Sequence, residues 1–206
     1  VLGRSAIRTL ILYESTTTSR MWSSVLSILT LIAYASSQVP STGKCPEIKT
    51  QTNFDLNKYL GVWHEIYKFY SSFESNQKCI KANYTLEPKG HVRVWNTALN
   101  IQDDKPVSAV GDGYAPDPND TARLEVRFSE FAPYANYWVL DTDYETYTLV
   151  YSCKDFLGLE KFEFAWILSR TRDLASKDKD TLFDVLEKFG IKSSNFMMTD
   201  QTNCPN

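Results

Sequence analysis

The sequence predicts an all-β domain followed by one C-terminal helix, on three observations. The first is period-two alternation. Ile80, Ala82, Tyr84 and Leu86 alternate with Lys81, Asn83, Thr85 and Glu87, and Leu124, Val126 and Phe128 alternate with Arg123, Glu125 and Arg127. Successive side chains of a strand point to opposite faces, so this pattern marks a sheet with one buried face. The second is rhythm: such runs recur roughly every 10–15 residues, separated by breakers such as Pro88-Lys-Gly90 and Asp117-Pro-Asn-Asp120. The third is a single stretch of helical period near the end of the chain.

In order, the predicted strands are 59–70, 79–87, 91–100, 107–115, 122–128, 136–142, 146–153 and 162–170. Short links between strands fit an up-and-down barrel or a sandwich, and periodicity alone does not choose between them. The helix is read from Leu182, Val185, Leu186 and Phe189, at i, i+3, i+4 and i+7, which form one apolar stripe expected to pack on the sheet. Ser176 is its expected cap, Asp178 and Asp180 suit its first turn, and Gly190 suits its end. Repeats, low-complexity tracts and linkers are absent from the sequence, so one domain is expected.

The 206 residues suffice for one domain with a core of its own. Met21 opens a stretch with signal-peptide character: Val25–Ile32 is apolar but too short to span a bilayer, and Ala33-Tyr-Ala35 and Ala35-Ser-Ser37 offer small-residue cleavage sites. The expected plan is residues 1–20 as an upstream or non-native leader, 21–37 as signal peptide, and 38–206 as a single secreted, soluble domain. A net charge of −3 gives no bias toward nucleic acid or anionic membranes. Aromatic residues make up 14% of the chain, suiting strands and the walls of apolar pockets alike. Cys45, Cys79, Cys153 and Cys204 form an even set behind a signal peptide, which implies two disulfides in one of three pairings. No Cys-x-x-Cys occurs and neither histidine clusters with the cysteines, so zinc is not expected.

Three short elements carry a resemblance. Gly61-Val62-Trp63 sits within Tyr59–Phe69, Thr142-Asp143-Tyr144 falls between two predicted strands, and Arg170 ends Phe162–Arg170 just before the helix. In that order they resemble the lipocalin family. Ile80–Thr85, Tyr137-Trp138, Thr142–Glu145, Leu149–Cys153, Phe164–Leu168 and Thr199–Pro205 are similar to its branch containing apolipoprotein D and insect relatives of Lazarillo and bilin-binding type. The resemblance covers roughly residues 45–206. It implies an eight-stranded antiparallel up-and-down barrel with the helix on its wall, wide enough inside for one small ligand. It also implies the pairs Cys45–Cys153 and Cys79–Cys204.

By the same resemblance, Gly61, Trp63 and Arg170 form a structural seal at the closed end, a guanidinium lying on an indole. Tyr84, Asn96 and Trp138 are placed in the pocket, with Leu124, Val126, Phe128, Ile80 and Ala82 expected along the apolar wall. Plain core packing is the competing role for Tyr84 and Trp138, and a surface or turn position for Asn96. Asn96 shares a strand face with Val92 and Val94 and is expected to anchor a ligand carboxylate or carbonyl. Ala98 stands where the family has an acid or amide, so the polar end of the pocket is expected to differ. The sequons Asn83-Tyr-Thr85 and Asn119-Asp-Thr121 match glycosylated positions of the family, and Asn83 belongs to the outward set of its strand.

Enzyme signals are absent, and no enzymatic activity is expected. His64 and His91 lie near no nucleophile motif, no helix follows Gly111-Asp-Gly113, and Asp141-x-Asp143 suits a turn better than a metal. Phe131-Ala-Pro-Tyr134 and Phe156-Leu-Gly-Leu159 are apolar loop segments that either fold over the barrel mouth or touch a membrane or lipoprotein surface. The expected function is a secreted carrier of a fatty acid such as arachidonate, a steroid or a retinoid, as a monomer or weak oligomer without a required cofactor or metal. A biliverdin-binding pigment protein is the alternative. A prostaglandin isomerase using a free pocket thiol and an oligomeric carotenoid-binding coat subunit are further ones.

Overall fold

A computed structural model describes residues 39–205; the predicted leader and signal peptide lie outside the described residues. One antiparallel sheet runs through β1 (Val39–Thr42), β2 (Gly61–Phe69), β3 (Gln77–Leu86), β4 (Val92–Asn100), β5 (Pro106–Tyr114), β6 (Arg123–Arg127), β7 (Ala135–Thr142), β8 (Tyr147–Phe156), β9 (Glu160–Ser169) and β10 (Phe196–Met198). Sequence neighbours pair from β2 to β9, and β9 pairs back with β2, with Glu65 opposite Leu168, which closes these eight strands into a barrel. Closure removes the free edges that an open sheet would leave. Two short strands extend the ladder outside it: β1 on β9 and β10 on β2.

Alternation in sequence becomes inside and outside. Ile80, Ala82 and Tyr84 of β3 are buried, as are Leu124 and Val126 of β6. Leu86 breaks the predicted pattern: it sits at the end of its strand, where the barrel wall runs out, and is 53% exposed. Up-and-down order puts the connections 70–76, 101–105, 128–134 and 157–159 at one rim, the mouth, and 87–91, 115–122 and 143–146 at the other.

The core has two parts. Phe54, Tyr59, Trp63, Tyr84, Leu124 and Val139 belong to one that fills the closed end of the barrel. The other lies between the sheet's outer face and a helix, α2 (Ser176–Lys188). There Leu182 and Leu186 are fully buried, with Val185 and Phe189 packed beside them, so the predicted stripe faces the wall. Its start differs from expectation: Ser176 is the first helical residue, the cap position is Ala175, and no side chain caps the helix. Gly190 ends it with φ +70°, a left-handed conformation that costs glycine little.

The first predicted strand starts two residues late. Asp55 Oδ1 accepts from the backbone N–H groups of Asn57 and Lys58 at 3.0 and 3.4 Å and starts a one-turn helix, α1 (Leu56–Tyr59). Tyr59 is therefore helical, with its ring against Trp63 at the base of the barrel. Cys45 joins Cys153 on β8, and Cys79 on β3 joins Cys204 in the tail, with Cα–Cα distances of 5.9 and 5.5 Å.

Candidate functional site: a closed-ended apolar cavity

The base is sealed by Arg170. Its guanidinium carbon lies 3.7 Å from the Trp63 ring centroid. Nη1 donates to the Val62 carbonyl and Nη2 to that of Lys58, each at 2.9 Å, while Nε donates to the Tyr144 carbonyl at 2.9 Å. One side chain thus ties β2, α1 and the β7–β8 turn. Trp63 Nε1 donates to the Tyr59 carbonyl at 2.8 Å, so the buried indole leaves no donor unpaired. Gly61 has φ +93°, and a Cβ there would lie 3.5 Å from Arg170 Nη1; the left-handed backbone, rather than space, calls for glycine. Across the base, Asp143 Oδ1 accepts from the backbone N–H groups of Glu145, Thr146 and Tyr147 at 3.1, 2.8 and 2.9 Å. Thr142-Asp143-Tyr144 is a turn that presents the Tyr144 carbonyl to Arg170.

Above this floor lies a cavity of about 560 Å³. Its walls are mostly apolar, with Ile80, Val94, Val126, Phe164, Trp166 and Leu168 among the lining residues. At the floor a relay of hydroxyls links Thr148 to Tyr59 at 3.4 Å, Tyr59 to Tyr137 at 2.9 Å and Tyr137 to Tyr84 at 2.7 Å. Burial raises all three phenols, Tyr59 to about 12, so they stay neutral in physiological conditions.

The wall also holds charge. Lys68 Nζ lies 3.2 Å from Glu65 Oε1 and 3.4 Å from Glu74 Oε2, and donates to the Glu74 carbonyl at 3.3 Å. Thr199 donates to Glu65 Oε1 at 2.6 Å and Ser71 to Glu74 Oε2 at 2.8 Å. All three charged side chains are nearly excluded from solvent, and both glutamates line the cavity. Burial, and then the charge of Glu74, push the Glu65 carboxyl well above the ordinary carboxylate range. A bulge between Glu65 and Tyr67 in the β2–β9 pairing turns both Glu65 and Lys68 to the buried side. No sequence pattern announced this triad, because period-two reasoning places residues three apart on opposite faces.

Of the residues singled out from sequence, the cavity lining includes Tyr84, Asn96, Val126 and Phe128. Leu124 points inward but lies in the core of the closed end, below the cavity. Trp138 does not face the cavity. It packs on the outer core near α2, with the Arg123 guanidinium 4.7 Å from its ring centroid, while its neighbour Tyr137 takes the inward position. The resemblance implies Trp138 for the pocket, whereas strand parity gives that wall position to Tyr137. Among the described residues, Trp166, opposite Lys68 on β2, is the tryptophan that lines the cavity. Asn96 lies on the predicted face, and its Oδ1 is buried without a hydrogen-bond partner. Asn83 sits on the outer face of β3 and Asn119 on an exposed loop. At the mouth, Phe131 is 99% exposed and Phe156, Leu157 and Leu159 are exposed as well. The four cysteines are all disulfide-bonded, and none of them is among the cavity-lining residues.

Known proteins share this architecture. The family model of the lipocalin-like domain matches residues 54–201. Apolipoprotein D of Cavia porcellus is 44% identical over 184 residues, covering 88% of this chain and 95% of that protein. Apolipoprotein D of Macaca fascicularis is 42% identical over 176 residues, covering 85% and 92%. Among solved structures, insecticyanin of the tobacco hornworm Manduca sexta superposes with TM-score 0.70 at 29% identity, covering 81% of this chain and 90% of that one. Lobster apocrustacyanin A1 shares the fold with TM-score 0.70 at 24% identity, covering 81% and 93%. A family match across the whole barrel, and relatives above 40% identity along nearly their full length, establish that the chain belongs to the lipocalin family.

Proposed function

We propose that this chain is a secreted carrier that holds one small hydrophobic molecule in its barrel. The observation that carries the reading is the cavity of about 560 Å³, closed at one end and walled mostly by apolar side chains. A space of that size suits a retinoid, a steroid or a folded fatty acid such as arachidonate. Tyr84, Asn96, Val126 and Phe128 are the proposed contacts retained from the sequence, and Trp166 and Tyr137 join them. Secretion is supported by the apolar run Val25–Ile32 and by two disulfides. Glycans on Asn83 and Asn119 are part of the same reading. The exposed rim side chains Phe131, Phe156, Leu157 and Leu159 support contact of the mouth with a lipid or lipoprotein surface. A biliverdin carrier is the second reading, and a visible absorption band on protein from native tissue distinguishes it.

The test is fluorescence titration with retinoids, steroids, fatty acids and biliverdin. A single saturable site with quenched tryptophan emission is expected. Trp166→Phe removes most of the quench, and Trp138→Phe leaves it nearly intact. Lack of binding across all four classes overturns the carrier reading.

A further inference from the structure

A second groove, of about 320 Å³, lies on the outer face of the barrel. Strand register builds one end of it. Val62 of β2 stands opposite Asn83 of β3, Asn83 opposite Trp95 of β4, and Trp95 opposite Val110 of β5. The four side chains form one row across the outer wall. Three are apolar and exposed: Val62 and Trp95 by 40%, Val110 by 51%. The fourth, Asn83, heads the sequon Asn83-Tyr-Thr85. Directly opposite residues of an antiparallel pair hold their Cβ atoms about 5 Å apart, so a group attached to the Asn83 amide emerges beside the Trp95 indole. Arg93 supports that indole, its guanidinium carbon 5.6 Å from the ring centroid.

The rest of the groove is rich in donors. Its lining includes His64, Lys81, Thr97 and Arg172, and no carboxylate is among the described lining residues. Arg172 is held in place: Nη1 donates to the Cys204 carbonyl at 3.1 Å and Nη2 to the Pro205 carbonyl. Those bonds leave further guanidinium N–H groups for another acceptor. Burial lowers the His64 pKa below its ordinary value, and the charges of Arg172 and Lys81 lower it further, so the imidazole is neutral at pH 7. From Asn83 the groove runs along β3 past Lys81 to the Cys79–Cys204 bridge, about 13 Å at the rise of a strand and about the length of a disaccharide.

A pyranose carries the surfaces that this groove lacks. One face of the ring is C–H and suits an indole, while its edges carry hydroxyl and acetamido oxygens that accept from Lys81 and Arg172. A small free anion would meet the cations and leave Val62 and Trp95 in water. A hydrocarbon would cover the row and desolvate the cations without a partner. The sugar's point of attachment already stands in the row. We propose, on the reading that Asn83 carries a glycan, that this groove is its seat: the first sugar lies against the Trp95 indole and the next extends along β3 toward Lys81 and Arg172, so the glycan covers the outer wall instead of standing free in solvent.

The test uses the full chain secreted from eukaryotic cells, with occupancy of Asn83 read by peptide mapping. Asn83→Gln removes the glycan, and Trp95→Thr removes its platform. With the platform intact, loss of the glycan is expected to lower the urea midpoint by about 0.5 M, from an aromatic contact of ordinary size. Thr85→Ala, which abolishes the sequon and keeps Asn83, should match that shift. In the Trp95→Thr background the same loss should move the midpoint less than half as far. Trimming to the first sugar with an endoglycosidase should retain most of the stabilisation. Nuclear Overhauser effects between the Trp95 indole and the first sugar read the contact on the native protein, so they decide the matter if Trp95→Thr fails to fold. Asn83 occupied with equal shifts in both backgrounds, or without those Overhauser effects, overturns the proposal and leaves the glycosylation reading standing. Asn83 found bare overturns both.

Discussion

Asp143 shows how much a single side chain does at the closed end. Its exposed carboxylate accepts three backbone N–H groups within one turn. Burial is the largest single influence and raises its pKa, but the backbone donations and the Thr146 hydroxyl together outweigh it and hold the carboxyl below the ordinary value of 3.8. A carboxyl with a depressed folded-state pKa stabilises fully above its unfolded value and loses that contribution as pH falls through the folded one. Asp143→Asn is therefore expected to lower stability at pH 7 by about 1 kcal/mol after allowance for solvent screening. The difference from the native protein should shrink as pH drops below about 4. Urea melts at pH 7 and pH 3 check this, and a gap that widens in acid contradicts it. Tyr137 and Trp138 teach the complementary lesson: two adjacent aromatics look alike in sequence, and one residue of parity sends one to the cavity and the other to the helix side.

Between elements, Arg170 joins what chain order separates. Its guanidinium covers Trp63 and donates to carbonyls of α1, β2 and the β7–β8 turn. Arg170→Ala uncovers the indole and leaves those carbonyls without their donor, at an expected cost of about 2–4 kcal/mol. Arg170→Lys recovers only part of it, since one ammonium cannot reproduce the planar fork. Ligand affinity of the folded fraction should hardly change, because the seal lies beneath the tyrosine floor. Paired urea melts and titrations decide the matter: lost affinity with an unaltered melt would put the cavity at the other end of the barrel. The glycines of Gly111-Asp112-Gly113 have an inter-strand explanation too. A Cβ at Gly111 would come within 2.9 Å of the Arg127 carbonyl and the Phe128 ring, and one at Gly113 within 3.2 Å of Val126. Close passage of β6 over β5, not phosphate binding, accounts for both.

At the scale of the molecule, the two disulfides span 108 and 125 residues. In the chain-entropy account, loops of that length each contribute about 4–5 kcal/mol by restricting the unfolded chain. The Cys79–Cys204 bridge also holds the tail against the cavity wall. Thr199 bonds the Glu65 carboxylate, and Gln201 Nε2 donates to the Glu65 and Ile80 carbonyls at 2.9 and 2.8 Å. Replacing both cysteines with serine is expected to lower stability by about 3–5 kcal/mol and to weaken ligand binding in the folded fraction, since Glu65 loses part of its support. Thermal melts and retinol titrations of the Cys79→Ser/Cys204→Ser protein test the two effects separately. An unchanged melt refutes the first, and unchanged affinity in the folded protein refutes the second.

The sequence by itself determined the all-β class, the inward set Ile80, Ala82 and Tyr84, and the helix stripe. These follow from local periodicity, which burial on one face imposes on any strand or helix. Resemblance supplied barrel closure and the cysteine partners, which are long-range facts that no local pattern contains. Only the tertiary structure decided where the inward positions end, placing Leu124 in the floor and Val126 in the cavity. It alone assembled Glu65, Lys68 and Glu74, because a bulge in β2 resets the parity and a turn after it returns Glu74 to the same wall. Such a cluster depends on register and on chain reversal, and a linear pattern of charge and hydrophobicity records neither.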